Sequence, residues 1–321
     1  MHPKTPGPCC PSPDSPPPAW FDELDDLAAR KLPLPALNDV EGKSLDAALP
    51  PVIDAHVHLF PDGFFEAIWR WFDAYGWPIR YKLPSEQVIE FLLSRGVSHI
   101  VALHYAHKAG IAELMNNYMA ELCQRHPKVM GLATVLPGEK GAADALSAAF
   151  AQGLRGVKLH CHVQSFSPDD SDMEEIYRTC IEHDLPLVMH AGREPASPQY
   201  PQHPHQLCAA YRVEEVLRSF PRLRLCVPHL GVDEIVAYTK LIEKYDNLWL
   251  DTTMAVAGYF PVDEPHRPIE VRPQRVMYGT DFPNLPYAWD REVRILAQRH
   301  DEQRLAAVLG ETARQFFGIS T

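Results

Sequence analysis

Short apolar runs alternate with helix-like stretches along most of this chain. Each run is brief and rich in branched apolar residues, which is typical of strands buried on both faces of a parallel sheet. The runs lie near residues 52–57, 98–103, 129–135, 155–160, 185–190, 223–228, 247–251 and 275–280. Stretches with a helical period separate most of them, at 85–95, 112–125, 141–152, 172–183, 213–219 and 233–244. The pattern therefore predicts a series of strand–helix units.

Eight such units favour a closed (β/α)8 TIM barrel, an α/β fold, over an open doubly wound sheet. An open sheet that binds dinucleotides usually carries a glycine-rich turn after its first strand. Here the first run ends instead in Asp54-Ala55-His56-Val57-His58. Residues 252–274 contain four prolines and predict a loop. Two helices are expected at 290–300 and 302–317.

The first 50 residues lack the alternation of strand and helix patterns. Residues 1–18 are dominated by proline, which predicts a disordered extension. A short helix is expected at 20–30 and an irregular arm at 32–51, where the proline spacing opposes a long element. The sequence thus divides into an N-terminal extension and arm, 1–50, and a barrel, 51–321. We hypothesise that the arm reaches a second copy of the chain in a homodimer.

Composition narrows the class of protein. The 321 residues suffice for one barrel of roughly 250 residues plus a tail, and 46% of them are hydrophobic. Such a chain needs no metal to complete its core, so any metal is expected to be catalytic. The net charge of −12 and the lack of a basic stripe argue against nucleic acid as a partner.

Two further features predict a cytoplasmic protein that does not enter a membrane. No stretch approaches the ~18 apolar residues of a spanning helix, and the N-terminus has no signal-peptide pattern. The seven cysteines form no C-x-x-C pair. They are expected to be free thiols in a reducing compartment.

The residues that could bind a metal ion or move a proton lie where the apolar runs end. His56 and His58 close the first run, and residues two apart on a strand point to the same face. Both imidazoles would project into the barrel mouth, where they could chelate one divalent cation. An isolated His-x-His pair is more often a packing or surface feature.

Other apolar runs also end in residues that could bind a metal ion or move a proton. This repetition argues against a chance placement of His56 and His58. Lys158 and His160 close the fourth run, His190 the fifth and His229 the sixth, and Asp281 follows the eighth. The carboxyl ends of the strands meet on one face of a parallel barrel, and barrel active sites lie there.

The order of these residues resembles the amidohydrolase superfamily, and in particular its amidohydrolase-2 branch, from about residue 52 to residue 319. The motifs that carry the resemblance are Asp54-Ala55-His56-Val57-His58, Gly156-Val157-Lys158-Leu159-His160, Met189-His190-Ala191-Gly192, His229-Leu230-Gly231 and Tyr278-Gly279-Thr280-Asp281-Phe282-Pro283, with a closing helix at 310–318.

The resemblance implies a mononuclear metal site held by His56, His58, His190 and Asp281, with His229 as general acid and base. One divalent ion is expected, with zinc favoured and manganese, nickel or iron as alternatives. Other branches bind two ions through a carboxylated lysine on the fourth strand. Lys158 therefore leaves a binuclear site open, and Lys158 and His160 are candidates for a second metal or for substrate.

The expected reaction is hydrolysis. A divalent ion lowers the pKa of bound water toward ~7. Asp281 would orient that water and accept its proton, and His229 would shuttle protons near neutral pH. The substrate would be an amide, lactone or ester of a small molecule that carries a carboxylate. Arg193 could clamp that carboxylate, with a surface salt bridge as the equal alternative. Asn284 could also bind substrate.

Two alternatives remain open at this point. The same residues could decarboxylate an aromatic or unsaturated acid, because the amidohydrolase-2 branch includes such lyases. A barrel that binds metal or ligand without catalysis is disfavoured, since none of the expected strand-end residues is replaced.

Overall fold

The structure, a computed structural model, describes residues 38–192, 203–260 and 262–320. Arg193 and the helix expected at 20–30 lie outside these residues. Residues 38–50 form turns and bends without a helix or strand, as the predicted irregular arm requires.

Eight parallel strands follow the arm in the residues that the structure describes. They are β1 Ile53–His58, β2 His99–Leu103, β3 Val129–Gly131, β4 Val157–His160, β5 Leu187–His190, β6 Leu225–Val227, β7 Leu248–Asp251 and β8 Val276–Met277. Continuous pairing joins β1 to β3 and β4 to β8, all in parallel. Strands β2 to β8 lie within the apolar runs, and β1 extends one residue beyond the first run, to His58.

Two single bridges close this sheet into a barrel. Ala133 pairs with Val157 and joins the β3 side to β4, while Val57 pairs with Phe282 and joins β1 to the segment after β8. The Ala55 N–H also donates to the Tyr278 carbonyl at 2.9 Å. The predicted TIM barrel is therefore confirmed.

Helices surround the barrel and also form its C-terminal end. They are α1 Asp62–Tyr75, α2 Ser85–Ser94, α3 Ala112–Arg125, α4 Ala142–Ala151, α5 Cys161–Gln164, α6 Glu174–Glu182, α7 Pro204–Leu207, α8 Ala210–Ser219, α9 Ile235–Lys244, α10 Arg267–Val271, α11 Arg291–Arg299, α12 Glu302–Ala306 and α13 Thr312–Phe317. None of the helices in the described part of the chain is long and apolar enough to cross a membrane.

The structure differs from the predicted helices in several places. The four-residue helices α5 and α7 were not predicted. Helix α1 was not predicted, although its apolar residues recur with a helical period. The loop expected at 252–274 contains the five-residue helix α10. The helix expected at 302–317 is interrupted by a π-helical turn, Ala307–Glu311, between α12 and α13.

The side chains of each strand alternate between two environments. Val157 and Leu159 of β4 pack in the large core that joins strands to helices. Lys158 and His160 therefore point to the opposite face, into the barrel. Val57 packs in the same core, so His56 and His58 likewise point inward.

The closing helix covers the end of the barrel opposite the site. Phe316 of α13 packs with Ile53, Val188 and Cys226. Arg224, which precedes β6, donates to the Phe316 carbonyl at 2.7 Å. The carboxyl ends of the strands are thus left as the open face for a site.

Candidate active site

Three predicted ligands meet above the barrel. The Nε2 atoms of His58 and His56 lie 3.1 Å and 3.3 Å from the same Asp281 oxygen, Oδ1. The two imidazole ring centres are 5.2 Å apart. Ligand atoms that share one tetrahedral zinc ion lie about 3.3 Å apart, given metal–ligand distances near 2 Å. These separations therefore fit a single divalent ion.

Asp251, at the end of β7, fixes the orientation of His56. The His56 Nδ1–H donates to Asp251 Oδ2 at 2.9 Å, which leaves Nε2 as the lone-pair atom. That Nε2 is buried and has no hydrogen-bond partner in the described residues. The other Asp251 oxygen accepts from the backbone N–H of His229 at 3.0 Å. A carboxylate behind a ligand histidine is a common second layer of metal sites.

Asp251 was missed by the sequence analysis, although a signal for it existed. The apolar run Leu248–Leu250 stops on this aspartate in the same way that the other runs stop on His190 and His229. Asp251 is almost fully buried, and its two oxygens accept from the His56 ring and from the His229 backbone.

A second buried carboxylate ties β1 to the segment that carries Asp281. Asp54 accepts hydrogen bonds from the Thr280 hydroxyl at 2.6 Å and the Thr280 N–H at 3.1 Å. Burial raises the pKa of Asp54 to about 7, against the opposing effect of these hydrogen bonds. Gly279, which precedes Thr280, leaves no room for a side chain, because an added Cβ would lie 2.7 Å from the His56 Cβ.

His229 lies on a strained turn beside these ligands. Its φ of 56° and the φ of 54° at Leu230 fall in the left-handed region, which costs energy for residues other than glycine. The His229 Nδ1–H donates to the Thr253 carbonyl at 3.0 Å, so Nε2 is the acceptor of the neutral ring. The donor atoms of His56, His229 and Asp281 all lie within 4.8 Å of one another.

The pKa values of Asp281 and His56 favour the forms of these side chains that bind a cation. Burial would raise the pKa of Asp281, but the electrostatic effect of His58 and its hydrogen bond, with smaller effects of His56 and His229, lower it to about 2. Burial, together with the charge of Lys158, lowers the pKa of His56 well below its usual range. A carboxylate and a neutral imidazole are the forms that bind a divalent ion.

His190 lies at the border between two groups of histidines. Its ring centre is 4.6 Å from that of His229. On its other side it stacks on His160, with centres 4.0 Å apart and an angle of 4° between the planes. Its donor atom groups with those of His160 and His162, within 4.8 Å. Lys158 is fully buried inside the barrel.

Asn284 is adjacent to this site, whereas Arg193 lies outside the described residues. The Asn284 N–H donates to the Asp281 carbonyl at 2.9 Å, and its own carbonyl accepts from Trp77 Nε1 at 2.7 Å. The buried side-chain oxygen of Asn284 has no hydrogen-bond partner within 38–192, 203–260 and 262–320. It is available to a ligand.

The sequence matches one family model over most of its length. Residues 53–319 match the family described as Amidohydrolase, which spans the barrel from β1 to the closing helix. No curated protein matches the sequence.

Solved structures with the same fold include enzymes of two reaction types. The 5-carboxyvanillate decarboxylase of Sphingomonas paucimobilis is 17% identical, with a TM-score of 0.60 over 84% of this chain and 99% of its own. The enzyme of that name from Novosphingobium aromaticivorans, complexed with manganese and 4-hydroxy-3-methoxy-5-nitrobenzoic acid, is 16% identical, with a TM-score of 0.63 over 87% and 99%. A probable 2-pyrone-4,6-dicarboxylic acid hydrolase from Acinetobacter baumannii, with citric acid bound, is 15% identical, with a TM-score of 0.57 over 84% and 99%.

Proposed function

We propose, from the premise that this chain belongs to the amidohydrolase family, that it is a metal-dependent hydrolase. Its substrate would be an amide, lactone or ester of a small molecule that carries a carboxylate. The observation that carries this proposal is the orientation of His229, which presents a basic nitrogen beside His56 and Asp281.

The metal centre that we propose consists of His56, His58, His190 and Asp281. Three imidazoles and one carboxylate suit zinc and also manganese, nickel or iron. The buried Nε2 of His56, directed toward Asp281, supports this assignment. The manganese in a structure of the same fold supports a divalent ion, and we propose zinc as the native one. When bound, the ion would acidify a water molecule and polarise the substrate carbonyl.

The protein's own groups would move the proton. The Asp281 carboxylate, with its pKa near 2, orients the water through a hydrogen bond and remains ionised. His229 accepts the water proton at Nε2, because its Nδ1–H is engaged by the Thr253 carbonyl. The imidazolium formed then gives this proton to the leaving nitrogen or oxygen.

Substrate recognition would come from the rim of the barrel. The Asn284 side-chain oxygen is buried near Asp281 and can accept a hydrogen bond. We propose Arg193 for the substrate carboxylate, since it follows His190 by three residues. The buried Lys158 adds positive charge inside the barrel.

Decarboxylation of an aromatic or unsaturated acid is the second candidate. It is favoured by the decarboxylases among the structures with this fold. A decarboxylase must deliver a proton to carbon. With Nδ1 engaged by the Thr253 carbonyl, the Nε2 atom of His229 would carry that proton in the imidazolium form. Hydrolysis is proposed first because a neutral ring can take a proton from water without that prior protonation.

A substrate panel separates the two reactions. Metal-loaded protein is incubated with lactones, esters, amides and hydroxybenzoate-type acids, while acid release and carbon dioxide are followed in parallel. The hydrolase predicts acid release without carbon dioxide, and the activity should disappear in His229→Gln but persist in the control His183→Gln. Release of carbon dioxide from any acid in the panel would reject hydrolysis in favour of the lyase.

A further inference from the structure

One peptide group after β7 is hydrogen-bonded at both of its ends. The Thr253 carbonyl accepts from the His229 Nδ1–H at 3.0 Å. The N–H of the same peptide group, which belongs to Met254, donates to Glu292 Oε1 at 2.9 Å. A peptide group is planar and rigid, so its carbonyl and its N–H turn together. The Glu292 carboxyl and the His229 ring are therefore linked through a single rigid unit.

We propose that Glu292 is a positioning residue for His229. By holding the Met254 N–H, it aims the Thr253 carbonyl at Nδ1 of the His229 ring and so keeps Nε2 free to accept a proton. This inference rests on the proposed role of His229 in moving a proton. It does not depend on the choice between hydrolysis and decarboxylation, because both would use the same Nε2 atom. Glu292 itself would touch neither substrate nor metal.

The linking peptide group lies at the centre of a strained turn. The Ala255 N–H donates back to the carbonyls of Thr252 and Thr253, at 2.8 Å and 2.7 Å, so residues 252–255 form a tight turn. Met254, in its third position, has a φ of 58°, where glycine or asparagine is usual. Turns with negative and positive φ at this position differ mainly by rotation of the central peptide group. That rotation would relieve the strain at Met254 and direct the Thr253 carbonyl away from His229.

Glu292 supplies a hydrogen bond that opposes this rotation. It lies in the first turn of α11 and is 1% exposed. Its Oε1 accepts from the Met254 N–H and also from the Tyr287 hydroxyl, at 2.7 Å. Strained conformations persist only where the surrounding structure holds them. Because Tyr287 belongs to the segment between β8 and α11, the carboxyl is fixed from that side while it holds the segment after β7.

The Glu292 side chain acts through an acceptor oxygen and not through a charge. Burial raises the pKa of Glu292 well above its usual range, against the effect of its hydrogen bonds with Tyr287 and Met254. Its second oxygen, Oε2, is buried and has no hydrogen-bond partner within the residues that the structure describes. Glutamine matches the size of the neutral side chain and carries the same acceptor oxygen. Glu292→Gln is therefore expected to keep the function that Glu292→Leu removes.

Asp251 holds the same region from another side, and its effects differ from those of Glu292. Asp251 Oδ1 accepts from the backbone N–H groups of His229 and Thr253, at 3.0 Å and 3.2 Å. Its Oδ2 accepts from the His56 ring, which belongs to the proposed metal centre. Glu292 reaches the His229 ring only through the linking peptide group. Substitution of Glu292 should therefore leave the metal content unchanged.

The tautomer of His229 is the measurement that tests this inference. Full-length protein with isotope-labelled histidine is studied by long-range proton–nitrogen NMR at alkaline pH, where imidazoles are neutral. The His229 signals are those lost in His229→Gln. We expect the Nδ1–H tautomer in the wild type and in Glu292→Gln. In Glu292→Leu the ratio of the Nδ1–H to the Nε2–H tautomer should fall about fivefold, the effect of one lost hydrogen bond.

Asn116→Leu is the matched control. Asn116 Oδ1 accepts from the Thr134 N–H at 2.8 Å, so this variant also loses a buried side-chain acceptor of a backbone N–H, on the β3 side of the barrel. Its His229 tautomer should be that of the wild type. If Glu292→Leu does not fold, Glu292→Met, which has an unbranched side chain, takes its place.

Two NMR results would overturn the inference. One is an Nε2–H tautomer in the wild type, and the other is a tautomer ratio in Glu292→Leu equal to that in Asn116→Leu. Because the measurement needs neither substrate nor metal, it stays decisive even if the proposed hydrolysis fails. With a substrate from the panel, kcat of Glu292→Leu should fall at least about tenfold at unchanged metal content, while Glu292→Gln keeps the wild-type value. Equal kcat in these two variants would contradict the role of the acceptor oxygen.

Discussion

The roles of His190 and His229 can be separated at the level of single residues. The rings lie 4.6 Å apart, yet we propose that the first binds the ion and the second moves the proton. His190→Ala should lose the ion of the proposed metal centre. His229→Gln should retain it and lose turnover by about 10²–10⁴-fold, the usual contribution of a general base. Elemental analysis and kinetics of the two variants check this, and loss of the ion in His229→Gln with retention in His190→Ala would reverse the assignment.

Asp251 provides a second prediction at this scale. Asp251→Asn keeps the size of the side chain but removes the negative charge that accepts from His56 Nδ1. The metal affinity should fall by about 10–100-fold, because the ligand becomes less basic and less fixed. Competition with a chromophoric chelator measures it, with the exposed Asp263→Asn as the control. Equal affinities in the two variants would contradict the orienting role.

The candidate site could be predicted in part from single residues. His56, His58 and Asp281 were predicted from strand ends. In the structure, the Nε2 atoms of both histidines lie within 3.3 Å of Asp281 Oδ1. His56 and His58 could be predicted because residues two apart on a buried strand point to the same face. The stacking of His190 on His160 could not be identified in this way, because it depends on how β4 and β5 pair in the folded sheet.

At the scale of elements, the strands were more predictable than the helices. The strands in the described residues are short buried runs with few alternatives, whereas α1 was missed although its apolar residues follow a helical period. Phe65 of α1 packs with Phe60 and Met115, so tertiary contacts rather than propensity stabilise that helix. The π-helical turn in the closing helix also has no local signal that we can identify.

The contact between β8 and β1 gives a prediction at this scale. In Gly279→Ala the new methyl group would lie 2.5 Å from Thr253 Oγ1 and 2.7 Å from the His56 Cβ. The variant should lose about 1–3 kcal/mol of unfolding free energy, the usual effect of overpacking. Chemical denaturation of the metal-free protein measures it. The matched control is Gly63→Ala in α1, where an added Cβ meets nothing within 4 Å. Equal stability in both variants would refute the close approach.

At the scale of the whole molecule, the arm is attached to the barrel. Asp39 accepts from Arg291 at 2.7 Å, and the Gly42 N–H donates to Asp290 at 2.9 Å. The Leu45 N–H donates to the Arg95 carbonyl at 2.8 Å. We therefore propose that the dispensable extension ends before residue 39, although the sequence pattern alone divides the chain at residue 50.

Truncation tests that division. Deleting residues 1–37 should leave the melting temperature unchanged, whereas deleting residues 1–50 should lower it, because Asp290, Arg291 and the Arg95 carbonyl, which are at least partly buried, lose their partners. Differential scanning calorimetry compares the two, and light scattering on the same samples tests the proposed homodimer. A melting temperature that is the same after both deletions would contradict the structural role of the arm.

The central claim is that His56, His58, His190 and Asp281 hold a divalent ion. The most direct test is elemental analysis of metal per chain, in wild type and in Asp281→Ala, after incubation with zinc and manganese. We predict that the variant contains one ion fewer than the wild type, with circular dichroism showing that both are folded. Equal metal content in the two proteins, or a wild type without metal, would contradict the proposed centre and the hydrolytic mechanism built on it.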